Sequence, residues 1–282
     1  MTAAPRALEE PYRGRAVPPG SPRFCSWLFA APEARDALLG IYALMAEWRA
    51  LTDPSAEATA AQLKLAWWQE EIGRLVRRVP VHPISRYLAS LPRADRVDFR
   101  PLSGAVEAAA RQLAGAPLEH GADLEAHAAA LGAAPLSVAA ELAREQSAES
   151  QHAVHCSAAA LAAAQYLNDS LGDYRREARC GRVILPIDEL LAARIENADL
   201  TAEEVPDHLQ SYLAGLRERA LRLFAAASEA LPRAERASSR HLLVLAALGA
   251  RHVRGREMHR GNFRLRDLYL AWSTARRAAR QS

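Results

Sequence analysis

Three acidic residues lie four positions apart in the second half of the chain, at Asp169, Asp173 and Glu177. Residues four apart lie one above another on an α-helix, so this spacing predicts a stripe of carboxylates about 6 Å from turn to turn. Spaced carboxylate oxygens are ligands that Mg²⁺ takes, usually together with the phosphate oxygens of a substrate. The alternative is a solvated acidic face with local ion pairs, each contributing a few tenths of a kcal/mol.

Four arginines lie within or just after the acidic stripe: Arg175, Arg176, Arg179 and Arg182. A guanidinium group can hold a phosphate through two parallel hydrogen bonds. Acids for a metal and arginines for phosphate in one segment favour the binding of a diphosphate. The spacing alone supports this interpretation and the solvated face equally.

The composition is that of an ordinary globular protein, since 50% of the 282 residues are hydrophobic and 24% are charged. A formal net charge of +3 is too small to indicate nucleic-acid binding, so we expect no nucleic-acid partner. Cys25, Cys156 and Cys180 are widely spaced and odd in number, which argues against a disulfide framework or a zinc site. Neither a signal peptide nor an apolar run of roughly 20 residues is visible, and we expect a cytoplasmic protein.

Apolar residues recur with helical periodicity along most of the chain, and only the short stretch RVILP at 182–186 reads as a strand. The predicted fold class is therefore all-α. We expect a flexible N-terminal segment at 1–20, a helical domain at 21–260 and a basic C-terminal tail at 261–282. One long helix from Pro135 to about Glu177 should carry the acidic stripe.

The segment 250–272 is basic and contains interleaved aromatic residues. Such a segment is suited to touch anionic lipid headgroups, so peripheral contact with a membrane is one expectation, and a solvated basic helix is the other. The sequence gives no information on protein partners.

Three stretches of the chain resemble the squalene/phytoene synthase family. DYRREARCGRVILP at 173–186 is similar to the family's second acidic signature, and KLAWWQEEIGRL at 64–75, followed by HPISRYL at 82–88, is similar to another family segment. Upstream, Ser21, Phe24, Pro32, Arg35 and DALLGIYAL at 36–44 fall in the family's order and spacing. The resemblance covers about residues 20–195.

The resemblance implies a single-domain helical bundle around a central cavity, the isoprenoid synthase fold. It also implies a transferase of isoprenoid biosynthesis that joins two prenyl diphosphates, farnesyl or geranylgeranyl diphosphate, head to head with Mg²⁺ as cofactor. A cation would neutralise the leaving diphosphate, and an apolar cavity would keep water from the carbocation. The alternative is a non-catalytic relative that uses the bundle as a binding or assembly factor.

Residue by residue, the resemblance places Asp173, Glu177 and Asp53 in catalytic positions, and Asp169, Asp173 and Glu177 in metal-binding ones. Arg179 and Arg182 match basic residues of the loop that follows the second signature, and they are expected to hold diphosphate. Phe24, Tyr42 and Tyr166 are expected to line the substrate cavity, although Tyr166 stands where the family commonly has glutamine.

The first acidic signature of the family is degenerate in this chain. Within YALMAEWRALTD at 42–53, Asp53 is retained, but Arg49 and Ala50 replace the two leading aspartates. Arg49 puts a cation where the family puts Mg²⁺. It could act as a fixed countercharge that binds one diphosphate, or it could abolish a metal site.

Overall fold

The computed structural model describes residues 7–255 and 265–281, and within these ranges all regular secondary structure is helical. This confirms the predicted all-α class. The α-helices in chain order are α1 (Glu10–Ala16), α2 (Pro22–Leu28), α3 (Arg35–Leu51), α4 (Ala58–Val76), α5 (Pro83–Ala89), α6 (Pro101–Leu113), α7 (Gly121–Ala128), α8 (Ala134–Ala143), α9 (Ala148–Arg179), α10 (Ile187–Ala192), α11 (Asn197–Thr201), α12 (Asp207–Glu229), α13 (Arg233–Arg236), α14 (Arg240–Arg254) and α15 (Leu265–Ala279).

Helix α9 is the longest of these elements, and it packs against α8, α12 and α14. Its alanine-rich stretch allows close approach, and the Ser157 hydroxyl donates a hydrogen bond of 2.6 Å to the Ala227 carbonyl of α12. The helix ends at Arg179, and Gly181 then adopts a φ of 76° that favours glycine. The acidic stripe therefore lies on the last turns of a helix held firmly by its neighbours.

The prediction of one helix from Pro135 to about Glu177 is wrong at residues 144–147. Arg144 is extended, with φ −159° and ψ 163°, and the Ser147 hydroxyl caps α9 by accepting the Ser150 N–H at 3.2 Å. Arg144 and the Ser150 hydroxyl both donate to the buried carboxylate of Glu235. This shared acceptor fixes the break between α8 and α9.

Helices lie within both the predicted N-terminal segment and the predicted C-terminal tail. Helix α1 lies inside the segment expected to be flexible, has a proline in its first turn and packs on α3. Helix α15 occupies most of the expected tail and packs on α14, with Arg251 2.9 Å from Asp267. The predicted domain boundary at 260 lies outside the described residues.

Helices α7 and α8 are joined by a π-helical turn, Ala129–Ala133, in which the Ala134 N–H bonds to the Ala129 carbonyl. This turn lies against α9, where a Cβ on Gly132 would come within 2.8 Å of the Ala162 Cβ. Among the described helices, Gly121–Ala143 has the length and apolar composition of a membrane span, with 56% of its apolar window buried in the protein. That burial is typical of a core helix.

The segment KLAWWQEEIGRL forms most of α4 and holds the loop that leads to α5. The carboxylate of Glu71 is fully buried and accepts the backbone N–H groups of Val81 at 2.9 Å and His82 at 2.8 Å. It also accepts Arg74 Nε at 2.7 Å, and the ring of Trp68 lies 4.5 Å from that of His82. This family-like segment is therefore explained by packing and hydrogen bonding within the fold.

Candidate functional site

A cavity of about 200 Å³ lies between the C-terminal half of α3, the π-helical turn and α9. Its apolar lining includes Met45, Ala109, Ala128, Leu131, Ala162 and Tyr166. Its polar lining includes Arg49, Asp53, Asp169, Asp173, Arg176 and Glu177. An apolar cavity with charged residues along one wall is suited to a ligand that has a hydrocarbon chain and an anionic group.

The three acids of the predicted stripe all face this cavity, as their four-residue spacing indicated. The exposed fraction of the side chain falls from 43% at Asp169 to 19% at Asp173 and 5% at Glu177. The stripe therefore runs from the rim of the cavity into the protein interior.

Asp53 lies just beyond α3 and joins the stripe through Arg176. Arg176 lies 3.1 Å from Asp53 Oδ2 and 3.3 Å from Asp173 Oδ1. Asp53 also accepts the hydroxyl and the backbone N–H of Ser55, and these bonds together with Arg176 lower the pKa of Asp53 to about 2. Asp53 is therefore ionised at neutral pH, and Arg176 bridges the two acidic elements.

Arg49 lies at the rim of the cavity and is paired with the outermost acid. Its Nη1 is 2.9 Å from Asp169 Oδ2, and its side chain remains 62% exposed. The charge of Asp169 raises the pKa of Arg49, so the guanidinium stays fully charged. The structure thus places a fixed cation at the rim, at the position where the family resemblance implied an aspartate.

Arg182 forms a buried bridge between the two acidic elements. Its Nε and Nη2 atoms each lie 2.7 Å from Glu177 Oε2, and Nη2 also donates to the Thr52 carbonyl at 3.2 Å. Burial raises the pKa of Glu177, while the nearby guanidinium of Arg182 acts to lower it. The Nε and Nη2 donors of Arg182 are therefore used within the protein.

The carboxylates as arranged do not fit a magnesium site. The carboxylates Asp53, Asp169, Asp173 and Glu177 each have an arginine nitrogen within 3.3 Å. Across residues 7–255 and 265–281, no three acidic, histidine or cysteine side chains are grouped so that they could share a metal ion. Mg²⁺ requires close oxygen ligands in octahedral geometry, whereas guanidinium groups supply the positive charge here.

The remaining predicted site residues fall into two groups. Tyr166 lines the cavity, with its ring edge-on to His127 at 5.3 Å. Arg179 is exposed and does not line the cavity, and Tyr42 is buried in the core with its hydroxyl 2.8 Å from that of Ser26. Phe24 packs beside Trp27 and does not line the cavity either.

The sequence predicted phosphate binding for Arg176 as one of four neighbouring arginines, but not its bridge between Asp53 and Asp173, and it indicated no role for Arg23. Arg176 follows Asp173 by three positions, a spacing that predicts a local ion pair and could have pointed to its role. Burial, and then the charge of Arg49, lower the pKa of Arg23 on α2. No sequence signal indicates this, because it depends on how α2 packs against the bundle.

A helical bundle around an apolar cavity, with acidic and basic side chains at its rim, agrees with the isoprenoid synthase fold that the resemblance implied. The chain belongs to the squalene/phytoene synthase family, because the family model described as squalene/phytoene synthase matches residues 19–276.

Similar proteins support this family and fold. The chain is 27% identical to phytoene synthase 1, chloroplastic, of Arabidopsis thaliana over 201 residues, which is 70% of this chain and 47% of that protein. The chain thus spans about half the length of this curated relative.

Two solved structures share the fold. Squalene synthase HpnC from Alicyclobacillus acidocaldarius superposes with a TM-score of 0.67 at 18% identity, covering 86% of this chain and 90% of that one. A dehydrosqualene synthase in complex with ligand gives 0.66 at 13% identity, covering 90% of both chains. At these identities the likeness establishes the isoprenoid synthase fold.

Proposed function

We propose that the protein is a prenyl-diphosphate transferase of isoprenoid biosynthesis. The observation that carries this proposal is the cavity, in which apolar walls lead to a rim with Arg49 and Arg176. Heterolytic cleavage of the allylic carbon–oxygen bond leaves the electron pair on diphosphate and a carbocation on the chain. Guanidinium groups at the rim stabilise the departing charge, and the apolar walls exclude water.

The substrate we propose is farnesyl or geranylgeranyl diphosphate. Its ionisation leaves a carbocation that a second prenyl diphosphate captures, as in the head-to-head condensation that the family resemblance implied.

The purified protein is expected to release inorganic diphosphate from farnesyl or geranylgeranyl diphosphate. Arg176→Gln should slow this release by at least about tenfold, because it removes a charged donor beside the leaving group. Arg222→Gln is the matched control, since Arg222 is an exposed arginine on α12. A coupled diphosphate assay measures the rate. Absence of release from either substrate, with and without Mg²⁺, would contradict the transferase.

A second candidate function is a non-catalytic binding protein of the same family. The pairing of Asp53, Asp169, Asp173 and Glu177 with arginines favours it, because these acids are already neutralised within the fold. Binding of a prenyl diphosphate in the same cavity without diphosphate release would identify this function.

We also propose that the protein is cytoplasmic and touches anionic membranes through the outer face of α15. Leu265, Tyr269 and Trp272 are exposed, and their spacing puts them on one side of the helix. The guanidinium of Arg276 lies 5.1 Å from the Trp272 ring on the same face. Exposed aromatic and basic side chains on one helix face are typical of an interfacial helix.

The wild-type protein should co-sediment with phosphatidylglycerol vesicles more than with phosphatidylcholine vesicles, and less at high salt. The double variant Tyr269→Ser/Trp272→Ser should lose most of this binding, because it removes the apolar part of the face. Leu63→Ser, at an exposed leucine on α4, is the control. Equal sedimentation of the double variant and the wild type would show that α15 is not the contact.

A further inference from the structure

We propose that a small side pocket, lined by Arg111, His127 and Arg182, binds a small oxyanion such as phosphate or sulfate. This inference goes beyond the proposed function, because the side pocket is separate from the charged rim of the central cavity.

The side pocket lies behind one wall of the central cavity. It is formed by the end of α6, the loop at 115–118, α7, α9 and the segment at 182–184. Tyr166, Gln112 and Ile184 line both spaces, whereas the carboxylates of the central cavity do not line the side pocket. Its volume is about 60 Å³, several times the roughly 10–15 Å³ that holds one water molecule. The side pocket therefore has room for a small ion and not for a prenyl chain.

The charge of the side pocket is positive. Its lining includes two arginines and, in the part of the chain that the structure describes, neither aspartate nor glutamate. Arg111 is in the last turn of α6, is exposed, and forms neither a hydrogen bond nor an ion pair with any described residue. Its charge is therefore not balanced by a carboxylate at the side pocket, and its planar fork of donors is available to an oxyanion.

Arg182 contributes further donors. Its Nε and Nη2 donate to Glu177 and to the Thr52 carbonyl, and among the described residues its Nη1 donates to no acceptor. A guanidinium group carries two N–H bonds on this nitrogen. The edge of Arg182 that the ion pair does not use can therefore bind an oxygen in the side pocket.

His127 is the buried polar member of the lining. It is 4% exposed, and its Nε2 is 3.4 Å from Gln112 Oε1, beyond the usual hydrogen-bond range of about 2.7–3.2 Å. No described residue forms a hydrogen bond with its Nδ1. Burial and the charge of Arg111 lower the pKa of His127 to about 4, so the ring is uncharged at neutral pH. A bound oxyanion would offset the charge of Arg111 and favour a proton on Nδ1, which would then donate to the anion.

Isothermal titration calorimetry with sodium sulfate and with inorganic phosphate, both in EDTA, tests this inference on the purified protein. We expect both anions to bind. Arg111→Gln should weaken binding at least about tenfold through the loss of a charge-assisted contact, and the exposure of Arg111 makes this variant safe for folding. Arg111→Lys should fall between this variant and the wild type. Arg176→Gln at the rim and Arg222→Gln on α12 should bind as the wild type does.

The pH dependence of sulfate binding tests the role of His127, because sulfate keeps its charge from neutral to weakly acidic pH. Bound sulfate should raise the pKa of His127 above about 4, so affinity should increase as the pH falls through the raised value. Arg111 does not titrate in this range, and burial raises the pKa of Tyr166. Burial also raises the pKa of Glu177, whose protonation would release Arg182 and act in the same direction. His127→Asn separates the two, since it should remove most of the increase.

The variants also separate this site from the rim. Sulfate binding that Arg111→Gln leaves unchanged, or that Arg176→Gln abolishes, would overturn the inference, as would no binding of either anion. Binding that depends on Arg111, without diphosphate release from prenyl diphosphates, would uphold the inference and contradict the transferase. Diphosphate release by a protein that binds neither sulfate nor phosphate would do the opposite.

Discussion

Glu71→Ala is expected to lower the free energy of unfolding by about 3–5 kcal/mol. The substitution leaves the N–H groups of Val81 and His82 without their acceptor, and it removes the buried partner of Arg74. Glu71→Gln should cost less, because its amide oxygen still accepts one of these bonds. Urea unfolding with an unchanged m-value measures the difference.

The neighbouring Glu70 provides the control, since it is largely exposed and only 3.4 Å from the same arginine. Glu70→Ala should change the free energy of unfolding by less than about 0.5 kcal/mol. Similar losses of unfolding free energy for Glu71→Ala and Glu70→Ala would show that the buried carboxylate of Glu71 does not hold the loop between α4 and α5.

The carboxylate of Glu71 also makes the free energy of unfolding depend on pH. Burial acts to raise the pKa of Glu71, but hydrogen bonds from Arg74, His82 and Val81 outweigh it, and the pKa is lowered from its ordinary value of 4.5. The folded state therefore favours the ionised form. The stability that this provides is present above pH 4.5 and is lost as the pH falls through the lowered pKa. The gap between wild type and Glu71→Gln should shrink over that range.

Arg182→Gln is the second substitution with a large expected effect, about 3–5 kcal/mol of unfolding free energy. It leaves the carboxylate of Glu177 buried without its countercharge and removes the bond to the Thr52 carbonyl. The Arg182→Gln variant should therefore unfold at a lower urea concentration than the wild type.

The double variant Arg182→Gln/Glu177→Gln should recover part of this loss, because neither member of the pair is then charged. Arg179→Gln, on an exposed arginine of the same segment, should change stability by less than about 0.5 kcal/mol. An Arg182→Gln protein as stable as the wild type, but unable to bind diphosphate, would instead support the ligand-binding role predicted from the sequence.

The sequence predicted the fold class well, because helical periodicity is a local property that each segment displays on its own. The break at 144–147 was missed although a local signal, the capping position of Ser147, was present. Helix α1 was not predicted, because a segment rich in proline and arginine indicates flexibility, whereas Pro11 fits a first helical turn.

The candidate site was predicted only in part. The four-residue spacing was enough to place Asp169, Asp173 and Glu177 on one face. Their partners could not be predicted, because the contact between Asp53 and Arg176 joins residues 123 positions apart, and that between Thr52 and Arg182 joins residues 130 apart. Such pairs depend on how α3 and α9 are placed in the bundle, which periodicity does not specify.

The π-helical turn at Ala129–Ala133 makes the shape of the cavity sensitive to chain length. The π-helical turn contains one more residue than an α-helical turn. This extra residue rotates the side chains of α7 by about 100° about the helix axis relative to those of α8. Leu131 and Gly132 reach the cavity wall through that offset. Deleting one residue here would convert the π-helical turn into regular α-helix and rotate α7 about the helix axis relative to α8. Relatives with a segment one residue shorter would therefore present different side chains to the cavity.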